Sequence, residues 1–253
     1  MNPLLDAHAH LDHYTAAELP QVLGELRRRR IRTLAVAMDP PSYRRLRELA
    51  ALSPWILPSF GVHPWRAPDY ADRLEELTPW IRSAPFLGEI GLDYHWVQDA
   101  HAYPLQRRVL AHFLEHGRDK VMNLHTKGAE ADILALLREA RPARAIVHWY
   151  SGPWRIFEEL LALGVYFTVG VEIHRSARIR ELAAAIPEDR LLAETDNPGG
   201  LEWLTGVRGM PRHLVGVLEA LAEVRGVDVA SLEAQMARNG RALLGQAFHR
   251  PAR

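Results

Sequence analysis

The 253-residue chain has no cysteine, which removes disulfides, thiol nucleophiles and cysteine-based zinc fingers together. No run of 18 apolar residues is present, so no transmembrane helix is expected. Only two of its 31 basic residues are lysines, Lys120 and Lys127. An arginine preference of that size fits genome base composition or heat tolerance better than nucleic-acid binding. The 31 acidic residues bring the net charge to zero, which argues against a wide basic footprint for duplex DNA. The basic start and apolar stretch of a signal peptide are missing ahead of Asp6, and the expected compartment is the cytoplasm. Internal repeats, linkers and low-complexity segments are absent too. A hydrophobic fraction of 48% with 25% charged residues excludes a disordered chain and a collagen-like fibre. What remains is enough chain for one large α/β domain or two small ones, and a single domain over residues 1–253 is the expectation.

Short apolar runs alternate with longer amphipathic stretches. The strand-like runs are Pro3–Ala9, Thr33–Met38, Ile56–Val62, Phe86–Leu92, Val121–His125, Ala145–Trp149, Val165–Val171 and Leu191–Glu194. Helical spacing marks Leu19–Arg30, Ser42–Leu52, Arg73–Arg82, Leu105–His116, Ile133–Arg141, Arg155–Leu163, Ile179–Ile186 and Leu214–Val224. Near-continuous apolar strands separated by helices predict a parallel sheet covered by helices. Eight such units in this length predict a single (β/α)8 TIM barrel, with Val229–Leu244 as an extra C-terminal helix. The alternative, a doubly wound open sheet, lacks a Gly-x-Gly-x-x-Gly after the first strand. The terminal segment Gln246–Arg253 reads as frayed.

In a barrel of this kind, catalytic residues belong at the C-terminal ends of strands. Strand one closes on Asp6-Ala7-His8-Ala9-His10, whose two histidines project from one side of an extended chain. Two imidazoles beside an acid suit a divalent metal. Strand three ends in Gly61-Val62-His63-Pro64, and strand four in Gly88-Glu89-Ile90-Gly91-Leu92-Asp93-Tyr94. An acid inside such an apolar run is costly to bury unless a cation pairs with it. Strands five, six and eight end in Asn123-Leu124-His125-Thr126-Lys127, Val147-His148-Trp149-Tyr150-Ser151-Gly152 and Glu194-Thr195-Asp196-Asn197-Pro198. Each alone could be a satisfied core residue; together, at successive strand ends, they point to a metal site.

These segments, with the closing run Asn239–Gly245, resemble the TatD family of metal-dependent deoxyribonucleases within the amidohydrolase superfamily, from Leu5 to about Gly245. The resemblance implies a barrel hydrolase with two divalent ions, Zn, Mn or Mg. It implies that His8, His10 and Asp196 hold the first ion and His125 and His148 the second, with Glu89 bridging both. It further implies that His63 approaches a substrate phosphate and that Asp196 orients and deprotonates the attacking water, so that Asp196 and Glu89 are the catalytic residues. Two cations about 3.5–4 Å apart can activate water and stabilise both attacking and leaving oxygens of a phosphodiester. The implied reaction is 3′–5′ exonuclease-type cleavage of single-stranded DNA or another phosphodiester.

The chain departs from the family pattern in its outer loops. Lys127 stands where an arginine is usual, keeping the charge that would meet substrate but losing the planar fork that grips phosphate. Trp149-Tyr150 replaces Cys-Phe, Gly199-Gly200-Leu201 follows Pro198 in place of aromatic-Leu, and strand seven ends in Glu172-Ile173-His174 instead of Ser-Gly. An ester or amide hydrolase, such as a D-aminoacyl-tRNA deacylase, is therefore the competing enzyme reading. A metal-binding accessory subunit of a larger complex is the non-catalytic one. Two motifs read as decoys: His112-Phe113-Leu114-Glu115-His116 lies on an outer helix, and Arg27–Arg30 ends helix one, where cations offset the dipole. Trp65, Tyr94, Trp96, Trp149 and Tyr150 follow the site strands and are candidates to stack on bases or to pack under loops. His13, His95, His101 and His174 are left outside the site.

Overall fold

The computed structural model describes residues 3–248. Eight strands, β1 (Leu4–Ala9), β2 (Ile31–Val36), β3 (Ile56–Phe60), β4 (Phe86–Asp93), β5 (Val121–Lys127), β6 (Arg144–Val147), β7 (Tyr166–Val169) and β8 (Leu191–Ala193), form one sheet in sequence order. Pairings β1–β2, β3–β4, β4–β5, β5–β6 and β7–β8 are parallel. Between strands run α1 (Leu19–Arg29), α2 (Pro40–Leu52), α3 (Thr78–Ser83), α4 (Ala102–His116), α5 (Glu130–Ala140), α6 (Trp154–Ala162) and α7 (Ala177–Ala185). After β8 come α8 (Gly199–Thr205), α9 (His213–Arg225) and α10 (Val229–Leu244). The fold is a (β/α)8 barrel with α10 added at its C-terminal end. No helix among the described residues is long and apolar enough to cross a membrane.

Three segments differ from their sequence expectation. The expected helix Arg73–Arg82 splits into a 3-10 turn, Leu74–Glu76, and α3, because Pro79 fits only the first turn of an α-helix. Helix α8 has no apolar stripe to announce it and opens on two glycines, the weakest formers after proline; it ends at Gly206 in the left-handed region. Part of the segment expected to fray is instead ordered: residues 245–248 form a 3-10 turn in which Phe248 is fully buried against Gly240. The remainder of Gln246–Arg253 lies outside the described residues.

The chain divides into two compact units. The first holds β1, β2, most of β7, β8, α1 and α7–α10. Helix α1 starts from a capping box: the Thr15 N–H donates to the Glu18 carboxylate and the Glu18 N–H to Thr15 Oγ1. Its buried face carries Val22 and Leu26. Helix α10 is fastened by buried Asn239, whose Nδ2 donates to the carbonyls of Glu188 (2.6 Å), just ahead of β8, and of Leu191 (2.7 Å), its first residue. At the other end of β8, the Asp196 N–H donates to His8 O and the His10 N–H to Asn197 O, drawing the tips of β8 and β1 together.

The second unit holds β4–β6, α3–α6, and the end of β3. An aromatic cluster lies in its core, with Phe60 5.5 Å from Phe113 and 5.1 Å from Tyr43, and Trp80 5.9 Å from Tyr43 between ring centroids. Pairs of this kind contribute about 0.5–1.5 kcal/mol each beyond the area they bury. Two glycines permit close strand approach here: a Cβ at Gly61 would overlap the Glu89 backbone, and one at Gly91 would overlap the His125 carbonyl oxygen.

Candidate metal centre

Ligand-type side chains gather at strand ends within each unit, and in both cases the strand is locally irregular. The β1–β2 register shifts between Asp6 and Ala9, and the β4–β5 register shifts between Leu87 and Ile90. An extra residue in one strand re-aims the side chains beside it. The shifts fall on Ala7-His8 and on Gly88-Glu89, so the irregularities sit where the metal-binding candidates lie.

In the first unit, His8, His10 and Asp196 offer three ligand atoms within 4.8 Å of one another. Asp196 Oδ1 is 3.7 Å from His8 Nε2 and 3.6 Å from His10 Nε2. Asp196 has φ of 51°, a left-handed conformation that aspartate tolerates better than most residues. Asp6, which sequence reading left out, supports this set from beneath. Its Oδ1 accepts the Thr195 N–H (3.0 Å) and its Oδ2 the Thr195 hydroxyl (2.6 Å). Burial pushes the Asp6 carboxyl up to about 7 against the lowering effect of those bonds. Glu194, at the end of β8, is a further buried carboxylate absent from the sequence-based set. His13 was also left aside, yet its ring stacks on His10 at 5.0 Å, and His10, Asp12 and His13 form another group of potential ligands.

In the second unit, a single carboxylate oxygen meets three imidazoles. Glu89 Oε1 lies 2.8 Å from His125 Nδ1, 2.9 Å from His148 Nε2 and 3.4 Å from His63 Nε2. All four side chains are buried. A carboxylate in such a place costs several kcal/mol to desolvate unless positive charge faces it. Imidazoles supply that charge either by protonation or by holding a cation. Neutral imidazole with carboxylate is the donor set of Zn²⁺ and Mn²⁺, so the residues fit a divalent ion.

Asp93 orients this set and was not among the sequence-based site residues. Its Oδ2 accepts from His125 Nε2 (3.0 Å) and from the Trp65 indole N–H (2.7 Å). Its Oδ1 accepts the backbone N–H groups of His95 (2.9 Å) and Trp96 (2.7 Å). Burial raises the Asp93 carboxyl, but the donors from His125, Trp96 and Trp65 outweigh it and bring it to about 2. Burial likewise opposes charge on His125, while hydrogen bonds to Asp93 and Glu89 hold its pKa above the usual imidazole value. With Nε2–H directed at Asp93, Nδ1 of His125 is the nitrogen that a cation would take in place of its hydrogen bond to Glu89. The motif Gly-Glu-Ile-Gly-Leu-Asp carried the signal: Asp93 stands four residues after Glu89 on the same strand.

The two residues read as substrate-binding are placed differently from each other. His63 belongs to the Glu89 set: its Nδ1 accepts the Trp65 N–H at 3.2 Å, leaving Nε2 toward Glu89. Lys127 is not in that set; its Nζ donates to Trp149 O (3.1 Å) and Ser151 Oγ (3.0 Å). Of the decoys, His112 is buried on α4 with its Nε2 2.9 Å from Thr78 Oγ1, and Arg27–Arg29 form the last turn of α1.

A barrel with buried histidine and carboxylate sets at its strand ends defines a metal-dependent hydrolase. The family described as TatD related DNase matches residues 5–245, and the chain belongs to that family. It is 32% identical over 247 residues to the uncharacterized metal-dependent hydrolase YcfH of Escherichia coli strain K12, covering 90% of this chain and 91% of that one. It is 29% identical over 209 residues to the 3′–5′ ssDNA/RNA exonuclease TatD of Erwinia amylovora, covering 73% and 76%. Among solved structures, the TatD homologue YjjV of Escherichia coli K12 superposes with a TM-score of 0.86 at 23% identity, covering 95% and 97%.

Proposed function

We propose that this hydrolase cuts single-stranded DNA from an end with the help of two divalent ions, which would be held by His8, His10 and Asp196 in one set and by Glu89, His125 and His148 in the other. The observation that carries the reading is the Glu89 carboxylate, buried with three imidazole nitrogens within 3.4 Å of one oxygen. The name of the Erwinia relative, an exonuclease on single-stranded DNA and RNA, supports the substrate class. On this reading residues 1–253 act as one hydrolase domain in the cytoplasm.

Divalent ions bound there, Zn, Mn or Mg, would supply Lewis acidity for an attacking water and for the phosphate oxygens. The protein's own residues do the positioning. Asp196, part-exposed and held in a left-handed turn, takes the proton of the attacking water. Asp93 fixes the tautomer of His125. His63 Nε2–H and Lys127 Nζ offer donors to a phosphate oxygen.

Metal content by elemental analysis, paired with end-labelled single-stranded DNA with and without Mn²⁺ or Mg²⁺, tests this. About two ions per chain and ladder-like shortening stopped by chelator are expected; metal without cleavage overturns the DNA substrate. Replacing Glu89 with Ala lowers turnover about 10²–10³-fold and releases metal with the fold retained; wild-type activity in that variant removes Glu89 from the centre. One observation favours ester or amide hydrolysis as a second reading. Lys127 already donates to Trp149 O and Ser151 Oγ, leaving it a weaker phosphate clamp than a forked arginine.

A further inference from the structure

We propose that Trp65 and Trp96 form a base-stacking subsite for a single-stranded nucleic acid, with the Trp65 ring and the Trp96 backbone tied to Asp93. The inference rests on the phosphodiester reading above and names residues that would hold the bases beside the bond being cut.

Five aromatic side chains follow the site strands, and the structure separates them. Trp149 and Tyr150 are buried. Tyr94 is stacked on Tyr103 at 4.1 Å, with its hydroxyl donating to Asp132 Oδ2 at 2.8 Å. Trp65 and Trp96 are each 50% exposed, a large apolar area to leave in water on residues this close to buried polar groups. They are also constrained. The Trp65 indole N–H is committed to Asp93 Oδ2, and its ring meets His63 edge-on at 4.8 Å. The Trp96 backbone N–H is committed to Asp93 Oδ1, and the Trp96 ring meets His95 edge-on at 4.6 Å.

The same carboxylate therefore anchors the Trp65 indole, the backbone that carries Trp96, and the imidazole of His125. With its N–H tied inward, Trp65 exposes apolar ring surface, which can meet flat π-systems and carries no hydrogen-bond preference. That matches sequence-tolerant stacking on unpaired bases. It also matches the charge balance of the chain, since a protein of zero net charge needs a source of affinity for single strands other than a broad basic surface.

Oligothymidylate titrated into chelator-treated protein, followed by tryptophan fluorescence, tests the subsite without turnover; an abasic oligonucleotide of the same length is the comparison. Wild-type fluorescence should be quenched by thymidylate. In Trp65→Leu and Trp96→Leu, each checked by far-UV circular dichroism, the preference for thymidylate over the abasic strand should fall about tenfold. An unchanged preference in both variants, or no quenching of the wild type, overturns the subsite. The two readings fail separately. Metal-loaded wild type that stacks thymidylate without cutting it sinks the phosphodiester reading and leaves the subsite standing. Cleavage with an unchanged preference in the variants sinks the subsite alone.

Discussion

Asp93 shows how much of a metal site lies outside its ligands. Its two oxygens accept four donors: the His125 ring, the Trp65 indole and two backbone N–H groups of the loop after β4. An amide at this position would turn an N–H against at least one of these donors. Asp93→Asn should weaken metal retention about 10- to 100-fold, the usual effect of removing a carboxylate behind a ligating histidine. Chelator competition against the wild type measures this directly. Retention equal to wild type would leave Asp93 as a loop anchor only. Asp6 plays a comparable part under the other ligand set, where it binds Thr195 through both backbone and hydroxyl and so fixes the residue next to Asp196.

Among the secondary-structure elements, the informative contrast is between strand ends and helix faces. His8 and Glu89 lie where the strand register breaks, and there the side chains turn into their clusters. His112 and His116 have the spacing of a zinc-protease motif but sit on regular helix α4, with their rings 4.3 Å apart and His112 paired to Thr78 of α3. A regular helix that packs through its apolar stripe has its histidines set by that packing, so His112 reads as a satisfied core residue. Replacing both with Ala should leave hydrolysis within about twofold of wild type. Loss of the buried hydrogen bond should lower stability by about 1 kcal/mol. A thermal melt beside an activity assay checks both; an inactive but folded variant would restore the protease motif as functional.

For the molecule as a whole, metal and fold are linked. The ligands are brought together only by folding, and a buried carboxylate is costly without a facing cation, so the ion should bind the native state and not the unfolded chain. At a free metal concentration 100 times its Kd, the native state gains about 2.7 kcal/mol, or roughly 5–10 °C in Tm for a chain of this size. Differential scanning calorimetry with and without chelator measures the shift, and a Tm indifferent to Zn²⁺, Mn²⁺ and chelator would show that these residues hold no ion.

Much of this was legible in the sequence. Eight apolar runs separated by amphipathic stretches determine a parallel barrel, because buried strands and one-faced helices have few other ways to cover each other. The order of polar residues along the chain likewise puts His8, His10, His125, His148 and Asp196 at or near strand ends, with Glu89 inside β4. Tertiary structure alone decided the rest. Periodicity is blind to helix α8, which has no apolar stripe, and to the ordered Phe248, whose burial depends on Gly240 leaving room for its ring. Asp93, Asp6 and Glu194 are single acids whose importance comes from what packs around them. Which nitrogen of His125 faces Glu89, and which two of five aromatics remain half exposed, depend on distances between segments far apart in sequence. A linear pattern records which groups are available; hydrogen-bond geometry and burial, set only once the strands are in register, determine what each one faces.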